Sequence, residues 1–347
     1  ISFLGAHDYA PEAVERAMML PVIAASSAEA RAAFAHALRE ITGDMVPRLR
    51  RTEGEITETL RALTGRYIEP SPAGAPTTNG VDVLPTGRNF YGLDPRCMPT
   101  PAAWEYGKQL GDALIEQYIN DEGRYPEAVG IVFWAGSNMR SHGQCIAELF
   151  YLMGVRPVWR RPSQRVCGLE VIPIAELKRP RIDVTARISG LFRDAVPNAV
   201  HWGDEAVRMV RDLDESDEEN YVRKHVLADT AWLEEQGEER TSAWERASVR
   251  IFGDPPGAYG AGIGALLESK AWETLDDLAA VYTRFSGTAY GGDGFARGYD
   301  PEVFQRRMAG LDVTVKNEDT RETHMFSSDD YNAYHGGMIA TVRALTG

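Results

Sequence analysis

The 347 residues, 44% hydrophobic and 25% charged, have the balance of a soluble globular protein with room for two or three packed units, which excludes a disordered chain. Acidic side chains outnumber basic ones 51 to 37, a net charge of -14 with no Lys/Arg block; this argues against nucleic acid or an anionic membrane surface as main partner and fits attraction of metal cations or simply solubility. Cys97, Cys145 and Cys167 share no Cys-x-x-Cys spacing, which excludes a zinc finger and points to a reducing cytoplasmic compartment, and no apolar run approaches the roughly 18–20 residues that cross a bilayer.

Residues 8–66 carry apolar side chains at three- and four-residue steps, as at Ile56, Leu60 and Leu63, which predicts helices over 11–20, 27–42 and 44–63. The Pro- and Gly-rich stretch 69–80 cannot sustain a helix and closes a helical region at 1–75. Residues 84–104, LPTGRNFYGLDPRCMPTPAAW, set Arg88, Asn89, Tyr91, Asp94 and Arg96 among turn formers, the composition of a fixed loop that presents polar groups.

From Pro101 the pattern alternates: helix 102–118, strand 128–134, helix 143–153, strands 155–159 and 182–188, helix 198–213. This predicts an α/β unit over 76–215 with a parallel, Rossmann-like sheet, helical layers before and after it, and functional loops at the carboxyl ends of the strands. Loops 134–143 and 187–194 fall at such ends; the second carries Arg187, Arg193 and Asp194. Residues 216–347 read as a mixed, mainly helical region that opens near a solvated acidic turn.

The glycine-rich segment 250–262 lacks the Lys and Ser/Thr of a P-loop, so nucleotide is not expected there. Segment 313–337 gathers Glu318, Asp319, Glu322, Asp329, Asp330, His324 and His335, the strongest metal-binding or proton-transfer chemistry in the chain. Asp329 equally suits an N-cap for a helix starting near Tyr331. Trp134, Trp159, Trp202 and Tyr259 have faces that can stack on a flat ligand, although isolated aromatics more often anchor a core.

Four segments, LPTGRNFYGLDPR, PRIDVTARISGLFRD, RIFGDPPGAYGAG and SSDDYNAYHGGM, resemble in order the motifs of the large subunit of tetrapyrrole metal chelatases. That family comprises the aerobic cobaltochelatase CobN subunit and the magnesium chelatase H subunit, and the ending YHGGM resembles the cobalt branch. The family's upstream HGTHG-type motif has no counterpart, so the chain is expected to be a piece of such a subunit.

The resemblance implies ATP-dependent insertion of Co²⁺, as the substrate metal, into a hydrogenobyrinic-acid-type corrin ring during cobalamin biosynthesis. It also implies AAA+ ATPase partner subunits that use the ATP and Mg²⁺ themselves. Insertion removes two ring N–H protons and strips water from the metal. His335, Asp330 and Asp329 are the expected catalytic groups and His335, Asp330 and Glu322 the expected metal ligands, imidazole with carboxylate suiting Co²⁺. Arg88, Asn89, Tyr91, Arg187 and Arg193 would hold the peripheral carboxylates and amides of the ring. A magnesium or nickel chelatase subunit and a noncatalytic tetrapyrrole carrier or sensor are the alternative expectations.

Overall fold

Ser27 starts the main helix of the amino-terminal region: its Oγ accepts from Ala30 N at 3.2 Å, and the Ala-rich α1 (Ala28–Glu40) follows. A single π-type turn (Ile41–Met45) and further short helices lead to α2 (Gly54–Leu63). Leu4, Ala13, Val14, Ala17 and Leu38 form the small core of this region. The computed structural model describes residues 2–71, 81–88, 93–161, 163–292, 295–320 and 324–347, and the chain divides into two compact units, 1–92 and 93–347.

The second unit opens with α3 (Pro101–Glu122). Thr100 Oγ1 accepts from Ala103 N, Pro101 supplies a preset first turn, and Gly123 at φ 73° ends the helix. Strand β1 (Ala128–Phe133) is buried at every position, as expected of a parallel strand covered on both faces. Helices α4 (Ala135–Arg140) and α5 (Gln144–Met153) follow. Gly107 of α3 meets α5 so closely that a Cβ there would lie 2.4 Å from the Ala147 Cβ, so a side chain of any size is excluded.

The sheet also contains β4 (Asp183–Ile188), β5 (Ile251–Gly253), β6 (Thr288–Gly291), β7 (Phe295–Tyr299) and β8 (Val313–Val315), in the order β7-β6-β5-β4-β1-β8. β8, β1, β4 and β5 are parallel; β6 and β7 run antiparallel at one edge. The expected parallel sheet is therefore present, but strand 155–159 is not part of it. It lies in β2 (Val155–Arg160), which pairs antiparallel with β3 (Arg165–Val171) in a separate hairpin. Pro157 and the charges at its two ends suit a hairpin outside the sheet better than a buried central strand.

Strand periodicity divides the core between the two faces of the sheet. On one face Val129, Ile131, Phe133, Val184, Ala186 and Ile188 pack with α5 and with α7 (Pro197–Arg211), which follows the short α6 (Gly190–Ala195). On the other face Val132 and Phe252 join residues of α9 (Leu275–Ser286), α10 (Pro301–Ala309) and α11 (Gly337–Thr346). The alternate positions of β4 are Asp183, Thr185 and Arg187, so charges enter this second face at both ends of a fully buried strand. At the amino end Asp183 accepts from Arg250 Nε at 2.6 Å and pairs with Arg307 and with His225 of α8 (Tyr221–Glu235), so its charge is neutralised where it is buried. Among the described residues no helix is long and apolar enough to cross a membrane.

Candidate functional site

The parallel strands end together at Phe133, Ile188, Gly253 and Val315, and the polar loops that follow them meet at this carboxyl edge. Because β8 lies beside β1, residues 316–319 fall next to α4. Ser137 Oγ donates to Asp319 Oδ1 at 2.8 Å and Arg140 Nε to Asp319 Oδ2 at 2.6 Å. Burial acts to raise the Asp319 pKa, and these hydrogen bonds outweigh it and hold the carboxyl below its ordinary value.

Lys316 is the cation at the centre of the edge. Its Nζ stands 4.1 Å from the centroid of the Trp134 ring and 5.1 Å from that of Tyr331, and donates to Asn317 O at 2.5 Å. Burial pushes its ammonium below the ordinary lysine value. Tyr331 and Tyr334 both meet Trp134 edge-on, at 5.1 and 5.8 Å, and the Tyr331 hydroxyl donates to Glu318 Oε2 at 2.5 Å.

Under this loop lies Glu148 of α5, 1% exposed. Its Oε2 accepts from Asn317 Nδ2 at 2.5 Å, and that amide also reaches Cys145 Sγ at 3.5 Å. Burial pushes the Glu148 carboxyl up to about 7, only partly offset by Asn317, and pushes the Cys145 thiol up to about 11. Glu148 thus anchors the segment that carries Lys316, Glu318 and Asp319.

Beside β4 and β5, Arg187 is fully buried. Its Nη2 donates to Asp254 Oδ1 at 2.5 Å and its guanidinium lies 4.4 Å from the Tyr334 ring centroid. Asp254 Oδ2 in turn accepts from Gly190 N and Gly260 N at 2.8 and 3.1 Å. Arg193 donates to the carbonyls of Asp254, Pro255 and Ala258 and pairs with Asp194 at 2.6 Å. The glycine-rich loop is therefore wrapped around two arginines, and a Cβ on Gly190 would lie 2.5 Å from Ala258 O.

The expected site residues are distributed as follows. His335 is half-buried in a π-type turn (Asn332–Gly336), with Nε2 3.2 Å from Thr314 Oγ1 of β8; burial lowers its pKa, which favours the neutral imidazole. Asp329 and Asp330 are exposed on the turn that leads to Tyr331, and burial together with the neighbouring Asp329 raises the Asp330 pKa. Ser328, not Asp329, occupies the N-cap position of that turn. Arg187 and Arg193, expected as ligand donors, direct the donors named above into the protein itself. Arg88 belongs to the first unit, where it pairs with Glu69 at 3.3 Å. Asn89, Tyr91 and Glu322 lie outside the described residues. Among the described residues no three His, Cys, Asp or Glu side chains converge as a metal site.

Lys316 and Glu148 were not singled out for this edge, whereas Arg140 lies in loop 134–143, which was expected there. A strand as short as Val313–Val315 gives no periodic signal, and Glu148 sits inside an otherwise apolar helix, where only its tertiary partner reveals a role.

Residues 7–347 match the CobN/Magnesium Chelatase family. The aerobic cobaltochelatase subunit CobN of Sinorhizobium sp is 42% identical over 314 residues, which are 89% of this chain and 24% of that protein. The chloroplastic magnesium-chelatase subunit ChlH of Oryza sativa subsp. indica is 35% identical over 293 residues, 82% of this chain and 20% of that one. The solved catalytic subunit of cobaltochelatase from Mycobacterium tuberculosis superposes with a TM-score of 0.87 at 47% identity, over 99% of this chain and 28% of that structure. The chain spans about a quarter of the length of these relatives.

Proposed function

Since the chain belongs to the CobN/magnesium chelatase family, we propose that it is part of the large subunit of a cobaltochelatase that inserts Co²⁺ into a hydrogenobyrinic-acid-type corrin ring in the cytoplasm. AAA+ ATPase subunits supply the energy and bind the ATP and Mg²⁺ themselves. Likeness to cobaltochelatase subunits over nearly the whole chain supports the choice of metal and ring.

The observation that carries the reading is the carboxyl edge of the sheet, where Trp134, Tyr331 and Lys316 stand beside Glu318, Asp329, Asp330 and the half-buried His335. Insertion must remove two protons from ring nitrogens and exchange metal-bound water for those nitrogens. His335, kept neutral by burial, has a lone pair for a proton or for the incoming cation. Asp329 and Asp330, exposed on the same turn, attract the hydrated ion, and imidazole with carboxylate is a donor set that suits Co²⁺. Glu322 is the third ligand in this proposal. Lys316, held against the Trp134 ring, supplies a positive charge for a peripheral carboxylate of the macrocycle. Arg187 and Arg193 act one step away from the substrate: by fixing the glycine-rich loop they shape the wall.

The test is insertion by the full-length subunit, reconstituted with its ATPase partners and followed by macrocycle absorbance with Co²⁺, Ni²⁺ or Mg²⁺ as the metal. Cobalt insertion is expected. Insertion of magnesium but not cobalt would overturn the choice of metal, and macrocycle binding without any insertion would favour a carrier.

A further inference from the structure

Between the β2–β3 hairpin and the amino end of α7 lies a cavity of about 650 Å³, lined by Arg96, Arg160, Arg161, Arg165, His201 and Trp202. Its volume is in the range of about 300–1,000 Å³ typical of small-molecule sites. The lining is cationic in a chain whose net charge is -14.

The arginines outnumber the carboxylates that neutralise them. Asp94 serves two: its Oδ1 accepts from Arg96 Nε at 2.9 Å and its Oδ2 from Arg165 Nε at 2.8 Å. Arg160 and Arg161 form no ion pair among the described residues, so positive charge is left over where the cavity opens. The hairpin register sharpens the point, because Arg160 sits directly opposite Arg165. Like charges in cross-strand pairs destabilise a hairpin; Asp94 offsets Arg165 here, whereas Arg160 has no carboxylate partner among the described residues.

Arg160 O accepts from Gln164 N at 2.8 Å and from Ser163 Oγ at 3.2 Å, which closes the turn. His201 Nδ1 lies 2.7 Å from Gly292 O, and its ring meets Trp202 edge-on at 4.8 Å, so the opposite wall holds two aromatic side chains. Guanidinium forks on one side and an indole on the other match a ligand with several oxyanion groups on a compact or planar frame.

We propose that this cavity binds a small multivalent oxyanion, bearing two or more carboxylate or phosphate groups. The inference does not rest on metal insertion. The carboxylates could belong to the rim of a tetrapyrrole and the phosphates to a free anion; both sources present the same chemistry to the arginines.

The test is calorimetric titration of the full chain with inorganic pyrophosphate and, separately, with uroporphyrin, a polycarboxylate macrocycle. Saturable binding of at least one probe is expected, weakened by added salt and weakened at least about tenfold in R160A/R161A, since two charge-assisted contacts are removed. Both side chains are exposed, and R160K/R161K, which keeps the charge but not the fork, should bind with intermediate affinity. Pyrophosphate alone binding identifies a phosphate ligand, and uroporphyrin alone a carboxylate one; either supports the proposal where R160A/R161A weakens it, since the carboxyl edge is the other place a macrocycle would bind. Binding of neither probe, or affinities unchanged in R160A/R161A, would overturn it.

Discussion

Replacing Glu148 with Gln isolates the cost of burying a carboxylate beneath the 316–319 loop. Glutamine keeps an oxygen to accept from Asn317 Nδ2, so the anchor survives while the charge does not. In the folded chain burial pushes the Glu148 pKa from 4.5 up to about 7. An acid whose pKa is raised on folding binds more protons in the native state, so stability falls as pH rises from the unfolded value to the folded one and then levels off. At about 1.4 kcal/mol per pH unit this displacement amounts to roughly 3 kcal/mol. E148Q should therefore match the wild type near pH 4.5 and exceed it by up to about 3 kcal/mol at pH 8. Denaturant unfolding curves of both proteins at the two pH values, followed by tryptophan fluorescence, measure the difference. An equal difference at both pH values would refute the assignment of a buried, proton-linked carboxylate.

Arg187→Met should destabilise the chain by roughly 3–5 kcal/mol, because it leaves the Asp254 carboxylate buried without its partner. R187M/D254N, which removes the charge but keeps an acceptor for Gly190 N and Gly260 N, should recover most of that loss in the same unfolding assay. Gly107→Ala raises helix propensity, yet it should lower stability by about 1–3 kcal/mol because the new Cβ meets Ala147. A rise in the thermal midpoint of G107A would show that α3 and α5 are less tightly packed than described.

The central strands were legible because a parallel strand buried on both faces needs an unbroken apolar run, and 128–133 supplies one. In strand 155–160 Arg156, Pro157 and Arg160 break the apolar run, which speaks against a central place in the sheet, but that it pairs with 165–171 is not revealed by composition. β5 and β8 are too short for periodicity to register, and β5 was hidden in a glycine-rich segment. At the site, Glu318 and Asp319 stood out as part of an acid- and histidine-rich stretch. Their partners Ser137 and Arg140, and the Glu148 anchor of Asn317, come from far earlier in the chain and were joined only by the adjacency of β1 and β8. Arg187 was misleading for the same reason: next to a glycine turn it resembles a ligand donor, and only the distant Asp254, Ser286 and Tyr334 make it an internal tie.

The most direct measurement is the initial rate of Co²⁺ insertion by the reconstituted full-length complex, compared between the wild type and D330A/H335A, with macrocycle binding measured alongside. The proposed mechanism predicts a loss of at least about a hundredfold in rate, the scale of general acid–base catalysis, with corrinoid affinity retained. An unchanged rate and unchanged metal affinity in D330A/H335A would contradict it.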